Sequence, residues 1–191
     1  MNRRSADAIS IRHLLTVTDE QVEGLAALLI DCVDGGASVS FMQPLPVTKA
    51  TQFWQHVAAA VASRDRALLV AEDAGGIVGT VQLVLDLPEN QPHRAEVSKM
   101  LVHRRARRQG LGAALMRAVE SLAHECRKSL LVLDTVTGSD AERLYTRLGW
   151  VRCGVIPGYA LLPRGGLCAT TYFYRTLDNA HRGQGAGVEQ P

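Results

Sequence analysis

Met100-Leu101-Val102-His103-Arg104-Arg105-Ala106-Arg107-Arg108-Gln109-Gly110-Leu111-Gly112 runs from an apolar segment through four arginines into two glycines. Upstream, Ala95–His103 reads as a strand. Downstream, Leu111, Leu115, Val119 and Leu122 recur at helical spacing, so a helix starts near Gly110. The quoted stretch is therefore a strand-to-helix turn. Free backbone N–H groups and the positive end of the helix dipole make such a turn a ready anion site. Glycines at 110 and 112 leave the backbone open to a phosphate. The pattern is neither GxxxxGK[ST] nor GxGxxG, which sets aside a nucleotide P-loop and a Rossmann dinucleotide site. Arg107-x-x-Gly110-x-Gly112 suits a loop wrapped round a pyrophosphate.

Four arginines in five positions also invite a nucleic-acid reading. The whole chain argues against it: 191 residues carry a net charge of only +2 and 5% aromatics, with no helix-turn-helix or RNA-binding motif. Arg104 and Arg105 read as a solvated turn, and Arg107 and Arg108 as the phosphate-facing pair. The hydrophobic fraction of 47% and charged fraction of 21% fit an ordinary globular protein. Cysteines at 32, 126, 153 and 168 form no CxxC pair, and the six histidines show no metal spacing. We expect no metal. The first residues lack the apolar core of a secretory leader, and no apolar run approaches a membrane span. A reducing cytoplasm is the expected compartment.

Working outward, residues 1–7 read as a flexible arm and 178–191 as a disordered tail, leaving one domain over 8–177. Within it, 9–15 reads as a strand. A helix follows from Thr18, where Thr18 and Gln21 form a capping-box pattern. Asp34–Met42 breaks that helix with two glycines, and a second helix spans about 47–63. Strands at 66–73 and 77–87 flank Ala74-Gly75-Gly76 as a hairpin, and 95–103 is the next strand. After the Gly110 helix come a buried strand (129–135), a short helix (139–148), a strand (150–155), a loop (157–166) and a last strand (169–177). This is an α/β layered fold.

Two segments resemble the GCN5-related N-acetyltransferases (GNAT). Met100–Met116 is similar to the family's acetyl-CoA signature, with Arg107, Gly110 and Gly112 on its R/Q-x-x-G-x-G/A loop. Ala141–Trp150 is similar to its A-x-x-x-Y-x-x-x-G-F/W pattern. The resemblance implies a mixed, mostly antiparallel sheet of about seven strands flanked by about four helices. It implies acetyl-CoA as co-substrate, contacted by Met100, Leu101, Val102, Arg107, Arg108, Gln109, Gly110, Leu111, Gly112 and Ala113. The family often places an Asn seven residues before the tyrosine. Gly138 stands there, so Ser139 is the candidate substitute. DGGASVSFM, RAEVSKMLV, LDT, PGY and ATTYFYRTL further resemble a toxin-resistance branch of the family, which acetylates the amine of a β-lactam amino acid.

Acetyl transfer needs a base for the amine, a polarised thioester carbonyl and a proton for the leaving thiolate. Glu96 and Asp134 lie on predicted strands among apolar neighbours, where burial raises a carboxylate's pKa toward a useful range. The alternatives remain open: Glu96 as partner of Arg94 or Lys99, and Asp134 as a turn cap. The resemblance assigns the acid role to Tyr145, against a simple core tyrosine. It also places Gly36, Ser38, Ser40 and Phe41 over the acceptor, with Tyr159 on the other side. The expected partner is a small amine, with no nucleic acid and no membrane. A peptide or protein N-terminus is the alternative acceptor. A non-catalytic acetyl-CoA-binding protein is the alternative from another class. An exposed last strand, common in this fold, would suit a homodimer.

Overall fold

The computed structural model describes residues 9–177, so the expectations for the arm and the tail lie outside the described residues. The elements are β1 (Ser10–Leu14), α1 (Asp19–Asp34), α2 (Val47–Ala62), β2 (Arg66–Asp73), β3 (Gly76–Val84), β4 (Arg94–Val102), α3 (Leu111–Glu125), β5 (Leu130–Val136), α4 (Asp140–Arg147), β6 (Val151–Leu161) and β7 (Leu167–Thr176). The seven strands form one sheet in the order β1-β2-β3-β4-β5-β7-β6. Only β4 and β5 run parallel, joined by the α3 crossover. The mixed, mostly antiparallel sheet with four helices is the architecture expected above.

Local chemistry starts the helices where the sequence placed them. Thr18 N–H donates to Gln21 Oε1 at 2.9 Å, and Gln21 N–H donates to Thr18 Oγ1 at 3.3 Å. This reciprocal box satisfies two donors at the head of α1. Gly110 caps α3 with φ 81°, a left-handed conformation natural to glycine. Apolar stripes then bury each helix pair on one sheet face. Trp54, Leu25, Leu29, Leu68 and Val70 form the core under α1 and α2. Leu115, Met116, Val81, Leu131 and Phe173 form the core under α3 and α4. Each such aliphatic side chain contributes about 1.5–3 kcal/mol through burial.

One expectation fails. Residues 157–166 are not an open loop, because β6 continues to Leu161. Pairing with β7 steps from Ile156↔Thr170 to Ala160↔Cys168 and Leu161↔Leu167. A bulge thus absorbs Pro157, which has no N–H to donate, and Gly158, whose φ is 62°. Only 162–166 turns. β3 also stops at Val84, short of the expected 87.

Two irregularities in the centre of the sheet prepare the site. β4 and β5 pair only through Arg94↔Leu130, Ala95↔Leu131 and Glu96↔Val132, and then separate. On the other edge of β4, Thr80 pairs with Leu101 and Gln82 with Ser98. Val81 therefore opposes both Lys99 and Met100, a second bulge.

Candidate active site

A pocket of about 1150 Å³ opens where β4 and β5 part. Ligand sites commonly occupy about 300–1,000 Å³, so the space suits a large ligand or two together. Its walls are Val97–Val102 of β4, Asp134–Val136 of β5, the head of α3, the inner side of α4, the α1–α2 loop and the end of β6.

At one end stands the arginine turn, whose four cations have separate tasks. Arg104 donates Nε to Asp31 Oδ1 at 2.8 Å and its backbone N–H to Oδ2 at 2.9 Å. Burial pushes the Asp31 carboxyl up, but these Arg104 bonds outweigh it and hold the group below its ordinary value. Arg105 grips Asp73 through both terminal nitrogens, one at 2.8 Å. The turn is thereby fastened to α1 and to the β2–β3 hairpin, and Ala106 plugs it into the core at 3% exposure. Arg104 and Arg105 are paired anchors rather than merely solvated. Arg107 and Arg108 line the pocket, with Arg107 Nε donating to Val102 O at 3.0 Å.

The head of α3 has the form of an anion cradle. Its first helical bond is Ala114 N–H to Gly110 O at 3.1 Å, so the N–H groups of Leu111, Gly112 and Ala113 have no partner within the helix. A Cβ at Gly110 would meet nothing within 4 Å, which leaves room beside the backbone. Gly112 has a different reason to be glycine: a Cβ there would stand 3.1 Å from Leu144 Cδ2 of α4. Gln109 is not on the pocket wall, and its amide donates to Arg105 O at 3.1 Å. Met100, Leu101, Val102 and Ser139 all line the pocket. Ser139 caps α4, accepting from Glu142 N–H at 3.1 Å.

Three further side chains line the same pocket. Asp134 lines the pocket, and burial pushes its carboxyl above the ordinary value; Lys99 opposes that shift and Glu96 adds to it. Tyr145 lines the pocket too, only 5% exposed. Its ring lies 6.1 Å from Trp150 and 6.0 Å from Phe173. Burial, with Asp134 adding, pushes its phenol far up, so the hydroxyl keeps its proton. Lys99 also lines the pocket.

Glu96 is placed elsewhere. It sits before the strands part, opposite Val132. Its carboxylate pairs with Arg94 Nη1 at 2.9 Å and its side chain is 48% exposed, off the pocket wall. Of these two candidate bases, the fold presents Asp134 to the pocket; Asp140 also lies on the wall, at the head of α4, but is paired with Arg143.

The acceptor-side loops do converge. Gly36, Ser38, Ser40, Phe41 and Tyr159 all line the pocket. Ser38 Oγ donates to Leu161 O at 3.1 Å, and Gln43 N–H donates to Pro163 O at 2.9 Å. These bonds tie the α1–α2 loop to the β6–β7 hairpin. Tyr172 donates its hydroxyl to Tyr159 at 2.7 Å. That bond, with burial adding, pushes Tyr172 up to about 12. Tyr172 pairs with Asp134 across the β5–β7 ladder. Sequence reasoning passed over Tyr172, and over Lys99 except as a partner for Glu96. The available signal was Lys99 as a lone cation between Val97 and Val102.

Residues 64–152, a little under half of the chain, match the acetyltransferase (GNAT) domain. Among solved structures, a ribosomal-protein-alanine N-acetyltransferase from Brucella melitensis is 23% identical, with a TM-score of 0.72, covering 88% of this chain and 99% of its own. A GCN5-related N-acetyltransferase from Kribbella flavida is 22% identical, with a TM-score of 0.72, covering 89% and 98%. The Salmonella typhimurium protein yncA, solved with its cofactor acetyl-CoA, is 18% identical with a TM-score of 0.72, covering 94% and 100%. At these identities the likeness is one of fold. No helix among the described residues is long and apolar enough to cross a membrane. Residues 64–152 thus match a GNAT acetyltransferase domain, and the described residues share the GNAT fold with these acetyltransferase structures.

Proposed function

We propose that the enzyme moves an acetyl group from acetyl-CoA to the amine of a small molecule by direct attack in a ternary complex, and that the acceptor is a β-lactam amino acid. The observation that carries the reading is the single pocket joining the anion cradle to Asp134 and Tyr145. The open space at Gly110 and the unpartnered N–H groups of α3 fit the diphosphate of acetyl-CoA. Bound there, acetyl-CoA supplies an activated acetyl thioester. Arg107 and Arg108 add positive charge beside the phosphates. Backbone groups of Met100, Leu101 and Val102 orient the donor along the separated edge of β4. Asp134 takes a proton from the acceptor's ammonium, and its raised pKa makes it a stronger base than an ordinary carboxylate. Tyr145 holds a proton at its phenol oxygen for the leaving thiolate.

The ties between the α1–α2 loop and the β6–β7 hairpin support a small acceptor over an extended peptide. The resemblance of PGY, LDT and ATTYFYRTL to the tabtoxin resistance protein supports the β-lactam amino acid. Acetylation there would remove the toxin's positive charge and add bulk. The test is release of free thiol from acetyl-CoA with a panel of small amines, including a β-lactam amino acid, beside peptide N-termini. Turnover confined to peptides would overturn the small-acceptor reading. Acetyl-CoA binding without turnover on any amine would favour a non-catalytic binding protein.

Tyr145→Phe should lower kcat by about 10²-fold, the lower range for a positioned acid, while leaving Tm nearly unchanged. The ring contacts to Trp150 and Phe173 survive that change. A fall in Tm with kcat intact would mark Tyr145 as purely structural. Arg104→Ala should lower Tm slightly by releasing Asp31 and leave acetyl-CoA affinity unchanged by calorimetry, because Arg104 is an anchor of the turn.

A further inference from the structure

One charged side chain on the acceptor wall has no task in the mechanism above. Lys99 belongs to β4 yet has φ 50°, a left-handed backbone that non-glycine residues rarely hold. It lies in the bulge opposite Val81, and bulges re-aim side chains out of a ladder. Here the side chain reaches the pocket wall. Its Nζ donates to Ser40 Oγ at 3.3 Å and stands 5.6 Å from the Phe53 ring centroid. Among the described residues, no carboxylate oxygen comes within 4.0 Å of it. Arg66, itself half-buried and donating to Gln82 Oε1 at 2.8 Å, adds a second cation nearby. Burial lowers the basicity of Lys99, Arg66 lowers it further, and Asp134 opposes both. A partly buried ammonium repelled by a guanidinium gains from an arriving anion.

We propose that Lys99, backed by Ser40, is the counter-ion for a carboxylate on the acceptor, so that the acceptors are amino-acid-like zwitterions held with the carboxylate on Lys99 and the amine toward Asp134. The inference rests on the acetyl-transfer reading, which puts the amine at Asp134. It explains why a strained lysine is kept in a pocket already supplied with cations at its far end. Ser40, with φ 76°, is also held in a left-handed conformation, so both partners of the contact depart from relaxed backbone.

The test is calorimetry with N-acetylated amino acids, including an N-acetylated β-lactam amino acid, each paired with its own carboxamide. Binding is then read without turnover. The parent protein should bind the acids about tenfold more tightly or better, the scale of one charge-assisted bond. Lys99→Met should abolish the difference and Lys99→Arg should keep it. Equal binding of acid and amide by the parent, failure of both to bind, or a preference that survives Lys99→Met would each overturn the proposal. So would mass spectrometry showing acetyl-CoA to acetylate Lys99 itself. Thiol release separates the two readings. Turnover with the same KM for amino acids and their amides sinks the role of Lys99 alone. Tight, acid-selective binding with no thiol release on any amine sinks the acetyl-transfer reading and leaves the carboxylate site standing.

Discussion

Asp134→Asn is expected to cut kcat by about 10²–10⁴-fold, the range for losing a positioned general base. The pH dependence carries the sharper signature. In the parent, turnover should fall as pH drops through the raised pKa of Asp134, because only the ionised form accepts the amine's proton. That acidic limb should vanish from the residual activity of the Asn variant. Stability should move the opposite way. The folded pKa of Asp134 lies above the unfolded one, so between the two values the folded protein holds more protons. Stability therefore declines as pH rises through that window, and at neutral pH the ionised group is a net cost. The Asn variant should melt at the same temperature as the parent or higher. A joint loss of Tm and kcat would mean that the carboxylate serves the fold, as a turn cap would.

Gly110→Glu should raise the Kd for acetyl-CoA by roughly two to three orders of magnitude. Like charges at about 4 Å near a protein surface repel by ~4 kcal/mol, and each 1.4 kcal/mol is about tenfold in affinity. The new carboxylate would enter the open space beside the unpartnered N–H groups of α3. Gly110→Ala separates charge from backbone. Its methyl group meets nothing within 4 Å, but φ 81° strains any residue with a Cβ. The Ala variant should thus lose about 1–2 kcal/mol of stability and far less affinity than the Glu variant. Unchanged acetyl-CoA binding by Gly110→Glu would remove the cradle from the mechanism.

What the sequence made legible was mostly local. The capping box of α1, the start of α3 at Gly110 and the β2–β3 hairpin each depend on residues a few positions apart, so pattern and propensity reached them. The strand-to-helix turn between β4 and α3 was legible for the same reason. The anchoring of Arg104 and Arg105 was not, because Asp31 and Asp73 come from α1 and β2, and only folding brings them close. β6 was cut short because Pro157-Gly158 reads as a turn, whereas a bulge lets β7 pair on both sides of it. Glu96 and Asp134 read alike as lone acids on apolar strands. What separates them is where the parallel ladder ends: Glu96 lies in its last pair and Asp134 beyond it. Lys99 escaped because alternation along β4 predicts a regular strand, and the bulge breaks that alternation where the lysine stands.

The parting of β4 and β5 also divides the sheet mechanically. Within the sheet, three residue pairs join the leaf β1–β4 to the leaf β5–β7; the apolar core under α3 and α4 crosses the seam on one side, and on the other the α1–α2 loop is bonded to the β6–β7 hairpin. Such a seam is a natural boundary between cooperative opening units. A ligand filling the gap touches both leaves, so its binding energy acts as a brace across the seam. Amide exchange in β5 and β7 should slow most when the pocket is filled, more than in β2 and β3.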